Sequence, residues 1–182
     1  MLNAIVFSLA IACLLLPVPE AEAKRPSDAA PPAYVKDEIT DAAHVGGGRL
    51  TVMVWDVYDA ALFAPGGVYS EEKPFALRLS YLRKLQGRKI ADKSSEEIRR
   101  QGFKDEIRLA IWHRQMRSIF PDVDKGTSLT GIRRKDGSVA FYHDGKIAGV
   151  IDDPDFAPHF FGIWLAADTS APALRQALTG RK

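Results

Sequence analysis

The chain has 182 residues, 46% hydrophobic and 26% charged, with a formal net charge of +2 at pH 7. It is long and apolar enough to bury one sizeable core, and its near balance of charge excludes the electrostatic footprint of a nucleic-acid binder. The single cysteine, Cys13, falls in a leading segment expected to be removed, which leaves no disulfide, no thiolate-bound metal and no thiol nucleophile.

Residues 1–23, MLNAIVFSLAIACLLLPVPEAEA, run apolar from Ala4 to Val18 and then reach Ala21-Glu22-Ala23. That layout is a secretory signal peptide with cleavage after Ala23, and its apolar run is too short for a membrane span. Acylation at Cys13 is disfavoured because Leu14, Leu15 and Leu16 continue the apolar run beyond it. Cleavage removes Glu20 and Glu22 but no lysine or arginine, so the mature chain is more basic by two charges. A cysteine-free exported chain suits a Gram-negative periplasm better than the disulfide-stapled extracellular class.

Residues 24–33, KRPSDAAPPA, have the charge, proline and alanine content of a flexible leader, so the folded domain is expected over residues 34–182. Gly46-Gly47-Gly48 stands before two stretches rich in Val, Trp, Tyr and Phe, residues 49–55 and 57–64. A phosphate cradle needs a helix after its glycines, and strand follows here, so the glycines are read as a tight turn or a close backbone approach before a long bent strand. Residues 75–82 alternate as a half-buried strand. Ser94-Ser95-Glu96-Glu97 reads as a capping box opening a helix, and Ile107, Ile111, Trp112, Met116, Ile119 and Phe120 form a stripe at helical spacing that Pro121 ends. Three short strands, 128–134, 138–143 and 146–151, follow, joined by the D-G turns Asp136-Gly137 and Asp144-Gly145. Asp153-Pro154 caps a helix containing Phe156, Phe160, Phe161, Ile163 and Trp164, in which Pro158 is expected to delay the start or to kink it. A last short helix runs from Ser170 to Gly180. Strands followed by helices give an α+β fold.

The stretches VYDAALFAPGG, YLRKLQGRKIADKS, IFPDVDKGTSLTG, FYHDGKIAG and FFGIWL, in this order behind a signal peptide, resemble the bacterial secreted branch of the chalcone isomerase-like family. The resemblance covers roughly residues 46–178. It implies an open-faced β-sandwich: a large antiparallel sheet with a helical layer on one face and a hydrophobic cleft between them. Plant enzymes of the family close a chalcone to a flavanone by intramolecular oxa-Michael addition, using an arginine with threonine and tyrosine hydroxyls. Non-catalytic members bind fatty acids through an arginine and a tyrosine. Aligned on VYDAALF, Tyr58 stands where the enzyme strand carries its threonine. The family arginine falls at Leu50 or Thr51, with Arg49 adjacent but out of register. The matching helix offers Trp112, His113 and Met116 where the enzyme has its tyrosine, so the isomerase constellation is not recovered.

The candidate ligand-binding residues are therefore Arg49, Tyr58, Arg78, Tyr81, Trp112 and Met116. Each has a plainer reading: Arg78 lies on the strand face opposite Tyr81 and suits solvent, the Trp112/Met116 stripe suits the core, and Tyr58 suits a buried ring with a satisfied hydroxyl. His44, His113, His143 and His159 show no paired ligand spacing, and Asp122, Asp124, Asp152, Asp153 and Asp155 sit in a turn or at a helix start, where carboxylates cap. No metal site, cofactor or catalytic residue is assigned. The expected function is non-catalytic binding of a fatty-acid-like or other small amphipathic anion in the cleft. The alternatives are an intramolecular lyase or isomerase on a small enone, with Arg49 or Arg78 as electrophilic support, and an envelope module for a protein partner. Arg99-Arg100 and Arg133-Arg134-Lys135 are the basic clusters available for membrane-surface contact.

Overall fold

The computed structural model describes residues 30–180. The signal-peptide reading of residues 1–23 and most of the leader lie outside the described residues. Eleven elements follow in chain order: α1 (Ala33–Glu38), β1 (Ala42–Val52), β2 (Trp55–Pro65), β3 (Phe75–Tyr81), α2 (Gly87–Arg100), α3 (Glu106–Ile119), β4 (Ser128–Arg133), β5 (Val139–His143), β6 (Lys146–Ile151), α4 (Phe156–Leu165) and α5 (Pro172–Thr179). The strands form one antiparallel sheet in sequence order. Every neighbour is a sequence neighbour, so local patterning and turns are enough to set the register.

One sheet face carries Tyr58, Leu62, Phe75, Leu79, Tyr81 and Phe141 into the main core with α2 to α5. The α4 helix is apolar on most of its surface because all of it but Pro158 and His159 is buried: its Phe160 packs against Phe120, Phe141, Phe161 and Trp164. The other face is not bare. Ala61, Phe63, Ala76 and Ile132 pack there against Val35 and Ile39 of α1 and its C-cap, which explains why β2 reads as a continuous apolar run from Ala60 to Ala64 rather than an alternating one.

The glycines lie inside β1 rather than ahead of it, so of the two sequence readings the tight turn is corrected and the close backbone approach holds. Their role is close approach: a Cβ on Gly46 would sit 2.4 Å from the Ala177 carbonyl oxygen and 2.5 Å from that of Leu178, and one on Gly48 would meet the Ala177 Cβ at 2.9 Å. Residues 49–55 are also not one strand. Val52 pairs with Trp55, so Met53-Val54 is a two-residue turn, with Met53 at φ 58° in the left-handed region. The turn carries none of the usual Asn or Gly signals, which is why it was missed.

The capping box at 94–97 is overturned in the same way. The helix starts at Gly87, whose N–H donates to Asp122 Oδ1 at 2.9 Å, and Ser94 lies within it, its hydroxyl donating to the Ile90 carbonyl at 2.9 Å. A side chain from the α3–β4 connection supplies the cap that the local sequence lacks. In α3 the buried face is Leu109, Trp112 and Met116, while Ile107 and Ile111 face solvent. The orientation is held from outside the helix: Asp153 accepts from Arg108 Nη2 at 2.7 Å and from the Trp112 indole at 2.9 Å. Pro158 neither delays nor kinks α4, since it occupies the first turn, where an amide has no intrahelical partner. The Asp144-Gly145 turn has both residues at positive φ, the type I′ geometry expected of D-G.

Gly46→Ala is expected to lower stability by about 1–3 kcal/mol, because the added methyl meets the α5 backbone rather than a movable side chain. Chemical denaturation followed by far-UV circular dichroism checks this, and an unchanged midpoint would contradict the close approach.

Candidate functional site

The main cleft opens between the sheet and the helices, with a volume of about 570 Å³, within the roughly 300–1,000 Å³ span of small-molecule sites. Its sheet wall is Val57 and Tyr58 of β2 with Leu79 and Tyr81 of β3. The helical wall is Ile90, Ser94 and Glu97 of α2 with Ile163 and Trp164 of α4, and Ser170 and Ala171 close the end before α5. The mouth is formed by the β1–β2 hairpin, Leu50 to Met53, facing Lys89 and Lys93.

Tyr58 and Tyr81 are directly paired across β2 and β3, with ring centroids 5.8 Å apart, edge to face. The Trp164 indole N–H donates to the Tyr58 hydroxyl at 2.8 Å, which leaves the hydroxyl's own proton available to an acceptor in the cleft. Burial pushes the Tyr58 pKa up to about 12, against the lowering effect of the Trp164 bond, so it stays neutral. Burial likewise raises Tyr81. Glu97 is the one carboxylate of the cleft lining. Burial alone would raise its pKa, but hydrogen bonds from Arg100, Lys93 and Ser170 outweigh this and hold it below the usual carboxylate range. Its charge is thus spent on protein partners, at 2.7 Å to Arg100 and 3.1 Å to Lys93. Lys89 forms no ion pair among the described residues and is the uncommitted cation of the rim.

Of the six residues expected to bind ligand, the structure brings Tyr58 and Tyr81 together in the cleft and places the other four elsewhere. Arg49 is on the outer face of the hairpin, held at 2.6 Å by Asp59 and at 2.9 Å by Asp56; those carboxylates raise its pKa further, Asp59 most. Arg78 is on the opposite sheet face, between Ala61 and Thr130, its Nε buried and without a hydrogen-bond partner among the described residues. Trp112 and Met116 are fully buried beneath α3, Trp112 stacked on Phe103 at 4.8 Å. The electrophilic arginine sketched for an isomerase therefore does not line the cleft. The basic clusters are also partly engaged: Arg99 with Glu106, Arg100 with Glu97 and Arg134 with Glu38.

Sequence reasoning missed the α2 wall. Lys89, Ile90, Lys93, Ser94 and Glu97 follow helical spacing along one face, and reading residues 94–97 as a cap cut that face in two. It also missed the hairpin mouth, because a turn at Met53-Val54 has no turn chemistry to announce it.

A family model described as chalcone isomerase-like matches residues 44–180. An uncharacterised protein of Haemophilus influenzae is 28% identical over 138 residues, which span 75% of this chain and 67% of that protein. A crystal structure of a fatty-acid binding protein of Arabidopsis thaliana superposes with a TM-score of 0.60 at 12% identity, covering 76% of this chain and 86% of the other. At that identity the likeness shows the fold.

Two variants probe the cleft walls. Tyr58→Phe leaves the Trp164 N–H without its acceptor and is expected to lower stability by about 1 kcal/mol, read from the denaturant midpoint. Glu97 has a depressed folded pKa, so its contribution is present above its unfolded value of about 4.3 and is lost as pH falls through the folded value. Glu97→Gln is therefore expected to be less stable at pH 7 and to show a flatter fall of Tm below about pH 4.3; parallel pH profiles for the two proteins would contradict the assignment.

Proposed function

Since the chain belongs to the chalcone isomerase-like family, we propose that it is a periplasmic binding protein for a fatty-acid-like amphipathic anion, the location being the one that the signal-peptide reading of residues 1–23 implies. The observation that carries this reading is the amphipathic layout of the cleft: apolar and aromatic walls on both sides and an uncommitted lysine, Lys89, at the rim. Glu97 decides the orientation. A carboxylate placed deep beside it would face a like charge in a poorly solvated site, so the acidic headgroup sits at the mouth with Lys89 and the chain lies between Leu79, Tyr81, Ile90 and Ile163. The Arabidopsis protein of the same fold, described as a fatty-acid binding protein, supports the reading.

Burying about ten methylenes contributes about 8 kcal/mol, and association costs of several kcal/mol offset part of it.

Titration with a fluorescent fatty acid below its micellar concentration tests the proposal. Ser94→Phe fills the cleft from α2 and is expected to abolish binding, while Lys89→Glu is expected to weaken it about fivefold, the scale of a rim ion pair. Failure of the unmodified protein to bind at tens of micromolar, or equal binding by the Ser94→Phe protein, would overturn it.

A further inference from the structure

The tip of the β1–β2 hairpin has a composition that the fold does not require. Val52, Met53, Val54 and Trp55 are 52%, 92%, 82% and 60% exposed. Isolated exposed apolar residues are ordinary, but four in succession on a protruding turn are a liability unless they have a use. The turn also keeps methionine at φ 58°, where glycine or asparagine would sit without strain. The apolar character is retained against the local conformational preference.

The charges around the tip are predominantly positive. The Arg83 guanidinium lies over the Trp55 ring, 5.3 Å from its centroid, and Lys84 follows it, exposed. Lys89, also exposed, lines the same cleft as Met53. The acidic residues of the hairpin, Asp56 and Asp59, share the single Arg49, so that cluster keeps one net negative charge against the three cations Arg83, Lys84 and Lys89. An exposed tryptophan among aliphatic side chains, bordered by free cations, is the chemistry of an anchor in the headgroup region of a bilayer. Four side chains on a turn are far short of the roughly 1,200 Å² that a stable protein interface buries, whereas a shallow wedge needs no larger area.

We propose that this hairpin tip docks the protein on the surface of an anionic lipid bilayer. Because Val52 and Met53 are shared between the tip and the cleft lining, docking presses the cleft mouth against the lipid. The proposal goes beyond the ligand-binding reading and stands without it.

The test uses vesicles of phosphatidylcholine with or without one third phosphatidylglycerol, and no added fatty acid. Flotation of the purified chain and the Trp55 emission wavelength are measured together; Trp112 and Trp164 are buried and supply a constant background. The expected result is flotation with the anionic vesicles and a blue shift, both lost at 0.5 M salt. Val54→Asp and, separately, Arg83→Glu should each weaken partitioning about tenfold while leaving the fold intact, since both side chains are exposed. Neither residue lines the cleft, so binding of monomeric fatty acid in solution reads the cleft independently and the two ideas fail separately. Absence of flotation, equal flotation by the Val54→Asp protein, or a concentration-dependent dimer that Val54→Asp dissolves without any vesicle binding would each overturn the proposal.

Discussion

The structure depends on a contact between two backbones. Because Gly46 and Gly48 carry no side chains, the C-terminal half of α5 lies directly on the first half of β1, at a distance that no Cβ would permit. This divides the edge strand by function. Its glycine half is sealed under a helix, and its other half, from Leu50 onward, is covered by nothing but the mouth of the cleft. The helix also fixes the far end of the cavity, since Ser170 and Ala171, which close it, are the residues that lead into α5. A side chain at Gly46 would lift α5, and the end of the cleft would move with it.

Polar contacts do the same for the helical layer. The α3 helix has apolar residues on more than one face, so amphipathicity alone leaves its rotation undecided. Asp153 decides it by receiving Arg108 and the Trp112 indole, which turns Leu109, Trp112 and Met116 inward and leaves Ile107 and Ile111 outside. The Asp122 cap on Gly87 starts α2 early enough for Lys89, Lys93 and Glu97 to share the cleft-facing side. Glu97 then receives Arg100, Lys93 and Ser170, so a carboxylate in the lining coexists with an apolar cavity because its charge is met from the protein side.

What was legible in the sequence follows from which interactions are local. The D-G turns, the alternation in β3, the terminal glycine of α5 and the order of strands and helices depend on near neighbours, and they were read correctly. Tyr58 was legible through the alignment on VYDAALF, and Tyr81 through the alternation that puts it on one strand face with Phe75, Leu77 and Leu79; the two meet in the cleft lining. Several of the failures involve distant partners: the α2 start depends on Asp122 and the α3 rotation on Asp153. The close approach read for the β1 glycines holds, and only its partners, Ala177 and Leu178, were out of reach of the sequence. Arg49 was assigned to the ligand through proximity in sequence to the family's arginine position, but Asp56 and Asp59 become its neighbours only when the hairpin closes.

The hairpin tip is the instructive case, because no long-range partner explains it. Local rules favour a polar, glycine-containing turn between Val52 and Trp55, and the chain instead places methionine and valine there, one of them in the left-handed region. Where a sequence departs from its own local preference without a packing gain inside the molecule, the compensating interaction lies outside it. At this tip the same side chains border an amphipathic cleft, so an apolar layer with an anionic margin would satisfy the turn and its flanking cations and bring the cleft to where amphipathic molecules are stored. A polar turn would leave the cleft intact but would separate it from that source.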